Sequence, residues 1–228
     1  MPQGFEAGRV SAARLLSPRI RNITIAAESL AGFVFEPGAD VAIRLPGGDG
    51  IADERHYSVW KSTAEGRLDL CVTLHGLGPG SRWAARCAVG DMVEISPSRA
   101  LPIALDRSVE AHLFLGDETS IASAEALTRA LPPEAVVLAC FEVASLDHRW
   151  PDPELARPEK VRWVAPSRAT RLGAPLLARG PEPLVHEFHD RLCDRRGVAL
   201  RDGTRASRAR PWLSHRRCPY QAVLENQV

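Results

Sequence analysis

The chain has 228 residues, enough for one large domain or two small ones. Its 45% apolar and 25% charged fractions are those of an ordinary soluble globular protein, and a formal net charge of +1 leaves no global field for nucleic acid or membrane. No apolar run approaches the ~20 residues that cross a bilayer. Met1 to Arg9 lacks the apolar core of a signal peptide. The cysteines (Cys71, Cys87, Cys140, Cys193, Cys218) are scattered, with no CxxC pair. That pattern implies reduced thiols in a cytoplasm and no zinc or iron–sulfur centre.

From Val10 to about Ser96 the pattern is short and alternating. Ile23 and Ile25 alternate with polar neighbours. Val41, Ile43 and Leu45 do so before the turn Pro46-Gly47-Gly48. Leu68, Leu70, Val72 and Leu74 share one face, and Asp69, Cys71, Thr73 and His75 the other. Met92 to Ile95 follows Gly90-Asp91. Such segments, with turn signals between them, predict a small antiparallel barrel. One helical stretch, Arg82 to Ala88, interrupts them.

Near Pro97 to Pro102 the pattern changes, which places a domain boundary at about residue 100. His112 to Leu115 is a fully apolar run of the kind buried in a parallel sheet. Ile121, Ala124, Leu127 and Leu131 fall on one helical face, and Pro132-Pro133 stops it. Val136 to Val143 and Val161 to Val164 read as further strands, so residues 101–228 form an α/β lobe built on a βαβ unit. Leu184 to Leu192 reads as a helix. Arg205 to Arg217 reads as a solvated amphipathic helix, in preference to a disordered tail. Tyr220 to Val228 is a last strand or a loose end.

Two stretches carry the chemistry. Arg55-His56-Tyr57-Ser58-Val59-Trp60 offers a cation, an aromatic ring and a small hydroxyl on one strand. His75-Gly76-Leu77-Gly78-Pro79-Gly80-Ser81-Arg82-Trp83-Ala84 offers a glycine-rich turn whose N–H groups can face an anion. A flavin nucleotide needs both, a flat neighbour and a hydroxyl for its ring, and Arg with free N–H groups for its pyrophosphate. Alone, the first stretch reads as an ordinary strand with one salt bridge, and the second as a turn that caps a helix with Ser81. His186/His189 and His215/Cys218 have i, i+3 spacing, but no third ligand accompanies them, so no metal site is expected.

In this order and spacing the chain resembles the siderophore-interacting protein family, which includes ferric-siderophore reductases of ferredoxin-reductase-like plan. Leu16-Ser17-Pro18-Arg19 resembles the family's turn after the first strand. Arg55-His56-Tyr57-Ser58 resembles its flavin motif, and His75 to Ala84, closed by Gly90-Asp91, its phosphate-binding turn and helix. Leu115-Gly116-Asp117-Glu118-Thr119 resembles the start of its nicotinamide-binding lobe. The likeness runs from about residue 8 to 131.

The resemblance implies a six-stranded antiparallel FAD-binding barrel (residues 1–100) followed by a smaller α/β lobe like an NAD(P)H-binding one (residues 101–228). It implies that Tyr57 packs on the isoalloxazine, Ser58 sets a hydroxyl near flavin N5, and Arg55 meets the pyrophosphate. Tyr57 and Ser58 are then the residues at the reacting centre. Gly78, Pro79, Gly80 and Ser81 form the phosphate cradle at a helix N-terminus. Val59 and Trp60 continue the flavin strand, and His75 and Trp83 are candidates for the ribose or adenine. Asp117, Glu118 and Thr119 lie where open parallel sheets bind ligands, and Thr119 caps the next helix or touches the nicotinamide nucleotide.

The implied cofactors are FAD and NAD(P)H, the implied substrate a ferric chelate, and the protein a monomer or small homo-oligomer without nucleic-acid or membrane partners. Three positions depart from the family. Trp60 stands where Arg is usual, so stacking replaces a cationic contact or that contact is missing. Ser96-Pro97-Ser98-Arg99 replaces a Gly-Pro-x-Gly turn, and Gly203-Thr204 lacks an acid. The sequence also ends at Asn226-Gln227-Val228, without the family's terminal aromatic pair. These departures motivate a second reading, a ligand-binding protein or non-redox biosynthetic catalyst on the same fold. A flavin reductase that releases free reduced flavin is a third.

Overall fold

Alternation in the first hundred residues becomes a closed barrel because each segment has one apolar face to bury. The computed structural model describes residues 4–45, 53–76, 78–97, 105–165 and 220–225, with Pro97 and residues 220–225 described by backbone alone. Strands β1 (Glu6–Ser17), β2 (Ile20–Ala26), β3 (Asp40–Leu45), β4 (Asp53–Ser62), β5 (Arg67–Thr73) and β6 (Met92–Pro97) close in the order β1-β2-β5-β4-β3-β6. Every pair is antiparallel. Val10, Ile23, Ile25, Val41, Ile43, Leu68, Leu70 and Ile95 fill the interior. Leu68, Leu70 and Val72 are buried as the alternation predicts, while Asp69, Cys71 and Thr73 are half-buried on the other face.

Helix α1 (Gly78–Arg86) packs against the barrel, adding Ala84 to its interior, which Cys87 just beyond also joins. It starts inside the glycine-rich turn, four residues before the expected helix. Its last turn is held by Arg21, whose guanidinium donates to the carbonyls of Ala84 (2.8 Å), Ala85 (2.7 Å) and Cys87 (2.9 Å). Those carbonyls lack helical partners and sit at the negative end of the helix dipole, so a cation satisfies both needs.

The second sheet comprises β7 (Ala111–Asp117), β8 (Val136–Glu142), β9 (Val161–Val164) and β10 (Tyr220–Glu225), in the order β10-β7-β8-β9. Each neighbouring pair is parallel. Helix α2 (Ile121–Arg129) links β7 to β8 and buries Ile121, Ala124 and Leu127, with Leu131 just beyond its end. The alternative of a terminal strand is thus the one realised at residues 220–225. The expected helices at 184–192 and 205–217, the His/Cys pairs near them, residues 203–204, 226–228, 46–48 and 98–99 lie outside the described residues. Among the described residues no helix is long and apolar enough to cross a membrane.

A shared core joins the two sheets. Trp60 of β4 is 2% exposed and meets Trp150 edge-on at 5.1 Å, within a cluster that includes Phe114, Ile121, Leu127 and Phe141. Alternation puts it there, since Val59 enters the barrel interior while Trp60, on the side of β4 that faces α2, enters the second core. A bulge follows, with Val59 paired to Leu70 and Lys61 to Asp69, leaving Trp60 as the extra residue.

Candidate functional site

A cleft of about 320 Å³ opens between the N-terminal end of α1, strands β4 and β5, and the start of α2. Arg55, Tyr57, Ser58, His75, Gly78, Pro79, Gly80, Ser81 and Thr119 line it, so nine of the expected residues converge. Strand alternation sorts the β4 contributors. Arg55 and Tyr57 face α1, whereas Ser58 faces α2.

Tyr57 and Gly80 define the floor. A Cβ at Gly80 would overlap the Tyr57 hydroxyl and lie 3.7 Å from the Arg55 Cγ. Only a residue without a side chain lets the phenol reach the helix end. The Tyr57 hydroxyl is buried there without a hydrogen-bond partner. Burial pushes its pKa up to about 12, against the lowering effect of Arg55. Trp83 supports the ring from behind, at 5.9 Å between centroids.

Arg55 pairs with Asp53 at 3.0 Å and donates to the Glu54 carbonyl at 2.8 Å. Both partners of that ion pair are more than a third exposed, a setting in which such pairs contribute about 0–1 kcal/mol. Exchange of Asp53 for a phosphate is therefore cheap. Ser81 does not cap α1 as the plain-turn reading has it. Its Oγ accepts from the Gly76 N–H at 3.0 Å and fixes the loop ahead of the helix.

At the other rim, Asp117 accepts from the Thr119 N–H (2.8 Å) and Thr119 Oγ1 (2.7 Å), which sets the turn from β7 into α2. Ser123 of α2 donates to Ser58 Oγ at 2.6 Å. Thr73 Oγ1 donates to the Glu118 carbonyl at 3.4 Å.

Five expected residues do not line the cleft. The side chains of Val59 and Trp60 are consumed by the two cores, because both faces of β4 are covered there. Trp60 thus offers no stacking surface to a ligand. Trp83 backs Tyr57 instead of facing the cleft. The Asp117 carboxylate is spent on Thr119. Glu118 is buried and turned toward Arg19 (3.5 Å) and His148 (3.4 Å), while accepting from the Ala144 N–H at 2.7 Å. It ties the β1–β2 turn to the second sheet.

His56, Cys71, Val72, Thr73 and Ala122 line the cleft without having been expected. Alternation had already put Cys71 and Thr73 on the polar face of β5. What they face depends on α2, which sequence spacing does not locate. Burial holds the Cys71 thiol well above its ordinary pKa, so it stays neutral.

These features define a class. A closed six-stranded antiparallel barrel, a helix N-terminus at its rim and a following parallel sheet make up the ferredoxin-reductase-like FAD/NAD-binding fold. Within it, residues 46–100 match the family model described as the siderophore-interacting FAD-binding domain, so the resemblance read from the motifs is borne out. The structure is similar to the siderophore-interacting protein SipS from Aeromonas hydrophila, at 24% identity and TM-score 0.63 over 81% of this chain and 73% of that one. It is also similar to a siderophore utilization protein from T. fusca, at 22% identity and TM-score 0.63 over 87% and 88%. The flavohem-like FAD/NAD-binding domain of a Vibrio cholerae nitric oxide dioxygenase matches at 13% identity and TM-score 0.60 over 72% and 74%. At these identities the structural likeness is one of fold; with the domain match it supports a flavin-dependent oxidoreductase.

The cleft fits FAD on its own chemistry. A buried hydroxyl without a partner, a helix start free of side-chain bulk and an exchangeable Arg together suit a pyrophosphate.

Proposed function

We propose that the protein binds FAD in the cleft between α1 and α2 and reduces a ferric chelate with electrons from NAD(P)H. The observation that carries this reading is the Tyr57–Gly80 approach. It leaves a buried phenol unsatisfied at the positive end of a helix, a costly arrangement without an anionic ligand. Arg55 and the backbone N–H groups of Gly78, Gly80 and Ser81 would hold the diphosphate, Tyr57 would meet the ring system, and Ser58 would present its hydroxyl to the reactive nitrogen. Thr119, at the end of β7, would face the nicotinamide nucleotide. We place residues 1–100 and 101–228 as the two functional lobes.

FAD supplies the conversion between a hydride donor and one-electron acceptors. The residues need provide no general acid or nucleophile; they position and exclude water. Fe(III) is a hard ion that oxygen chelators hold tightly, and the softer Fe(II) is held weakly, so reduction releases the metal. The substrate is a small molecule, and the cytoplasm supplies its nicotinamide donor.

Purified protein titrated with FAD should develop the flavin spectrum and quench flavin fluorescence. Anaerobic NADPH or NADH should then bleach it, and a ferric hydroxamate should restore it. Absence of FAD uptake would end this reading. Bound flavin that stays oxidised with both donors would favour a binding protein or non-redox catalyst on this fold.

A further inference from the structure

The Ser58 hydroxyl is not alone in the cleft. Ser123 reaches it across the boundary between barrel and second sheet, donating at 2.6 Å from α2. Ser123 is 1% exposed, so bulk water does not compete for this bond. Trp60, two residues along β4 on the same side, is locked under α2 by Trp150, and that packing fixes the Ser58–Ser123 approach.

A hydroxyl has one hydrogen and two lone pairs. When Ser123 donates to Ser58, one lone pair is filled and the Ser58 hydrogen remains available to the cleft that Ser58 lines. We infer that Ser123 is a positioning residue, which biases Ser58 to act as a donor toward N5 of the flavin and so couples the second lobe to the redox potential of the first. The inference rests on the FAD reading above and adds to it a residue and a direction. Oxidised flavin carries an acceptor at N5; reduced flavin carries N5–H there. A donor held against that nitrogen therefore favours the oxidised form, and releasing it favours the reduced form.

The test uses the full chain loaded with FAD, as wild type, Ser58→Ala, Ser123→Ala and the double variant. Midpoint potentials are read by equilibration with a redox dye, and FAD affinity by fluorescence titration. Alanine suits a helix, so Ser123→Ala should fold. Its FAD affinity should stay within about twofold, since Ser123 lies on α2 and is not among the residues that line the cleft. The ratio of reduced to oxidised FAD at a fixed potential should rise by about three- to tenfold, where tenfold is about 30 mV for two electrons. In the Ser58→Ala background the same substitution should add nothing, because the proposed route from Ser123 to N5 runs through the Ser58 hydroxyl. An unchanged or lowered potential in Ser123→Ala, or a shift that persists in the Ser58→Ala background, overturns the inference and leaves the FAD reading standing. No FAD uptake by the wild type overturns both.

Discussion

The Tyr57 hydroxyl occupies the space that a Cβ on Gly80 would need. One residue comes from β4 and the other from the first turn of α1, and neither position makes sense without the other. Gly80 has no positive φ, so its glycine is explained by this close approach and not by backbone conformation.

Gly80→Ala should therefore destabilise the protein although it sits in a helix. An alanine in an open helix position is about 1 kcal/mol better than glycine. A fall in Tm for Gly80→Ala, with FAD affinity reduced at least about tenfold (~1.4 kcal/mol), would register the clash. Recovery of Tm in Gly80→Ala/Tyr57→Phe would confirm its source, since only the hydroxyl is struck hard.

Tyr57→Phe alone should separate stability from binding. Removing a buried hydroxyl that lacks a partner should leave apo stability unchanged or raise it by about 1 kcal/mol, while FAD affinity falls. The alkaline limb should change as well. The folded-state pKa of about 12 lies above the ordinary 10.0, so the folded form holds the proton more tightly. Stability is full below pH 10 and declines as pH rises through about 12. Thermal melts against pH should show that loss in the wild type and less of it in Tyr57→Phe.

Trp60→Ala should cost about 3–5 kcal/mol, the range for removing a buried large aromatic side chain. Urea melts would measure it. Trp60→Arg, which restores the residue usual in the resembled family, should be at least as damaging, because it buries an unpaired cation beside Trp150. A gain in FAD affinity from that change would contradict the placement of Trp60 in the core.

Glu125→Gln should flatten the acid side of the stability curve. Burial raises the Glu125 pKa above 4.5, against the lowering effects of the Ala156 N–H and of Arg129. A raised carboxyl means that the folded state binds the proton more tightly. Wild-type stability from this group is highest below the unfolded pKa and falls as pH rises through the folded one. The glutamine keeps an acceptor for Ala156 and carries no charge, so the decline should disappear from melts taken above pH 4.5.

Much of the fold was legible because period-2 alternation and apolar runs are local. Leu68, Leu70 and Val72 announce a one-sided strand whatever they pack against, and the run at 112–115 announces a strand covered on both faces. The start of α1 differs from the expected Arg82 because Pro79 to Ser81 have turn chemistry yet join the helix, behind Gly78 with its positive φ of 76°. Trp60 differs for another reason. Alternation puts it on the Ser58 side of β4, but α2 and Trp150, which cover that side, come from distant parts of the chain.

The residue types at Arg55, Tyr57, Ser58 and Gly78 to Ser81 pointed to an anion-and-ring site, since a cation, a ring, a hydroxyl and a glycine-rich turn are properties of the residues themselves. Which groups meet was decided in three dimensions. Ser123 on Ser58, Arg21 on the end of α1, and Glu118 between Arg19 and His148 are contacts across dozens of positions or between separate lobes. Their energies arise from burial and approach, and neither is encoded by neighbours in the chain.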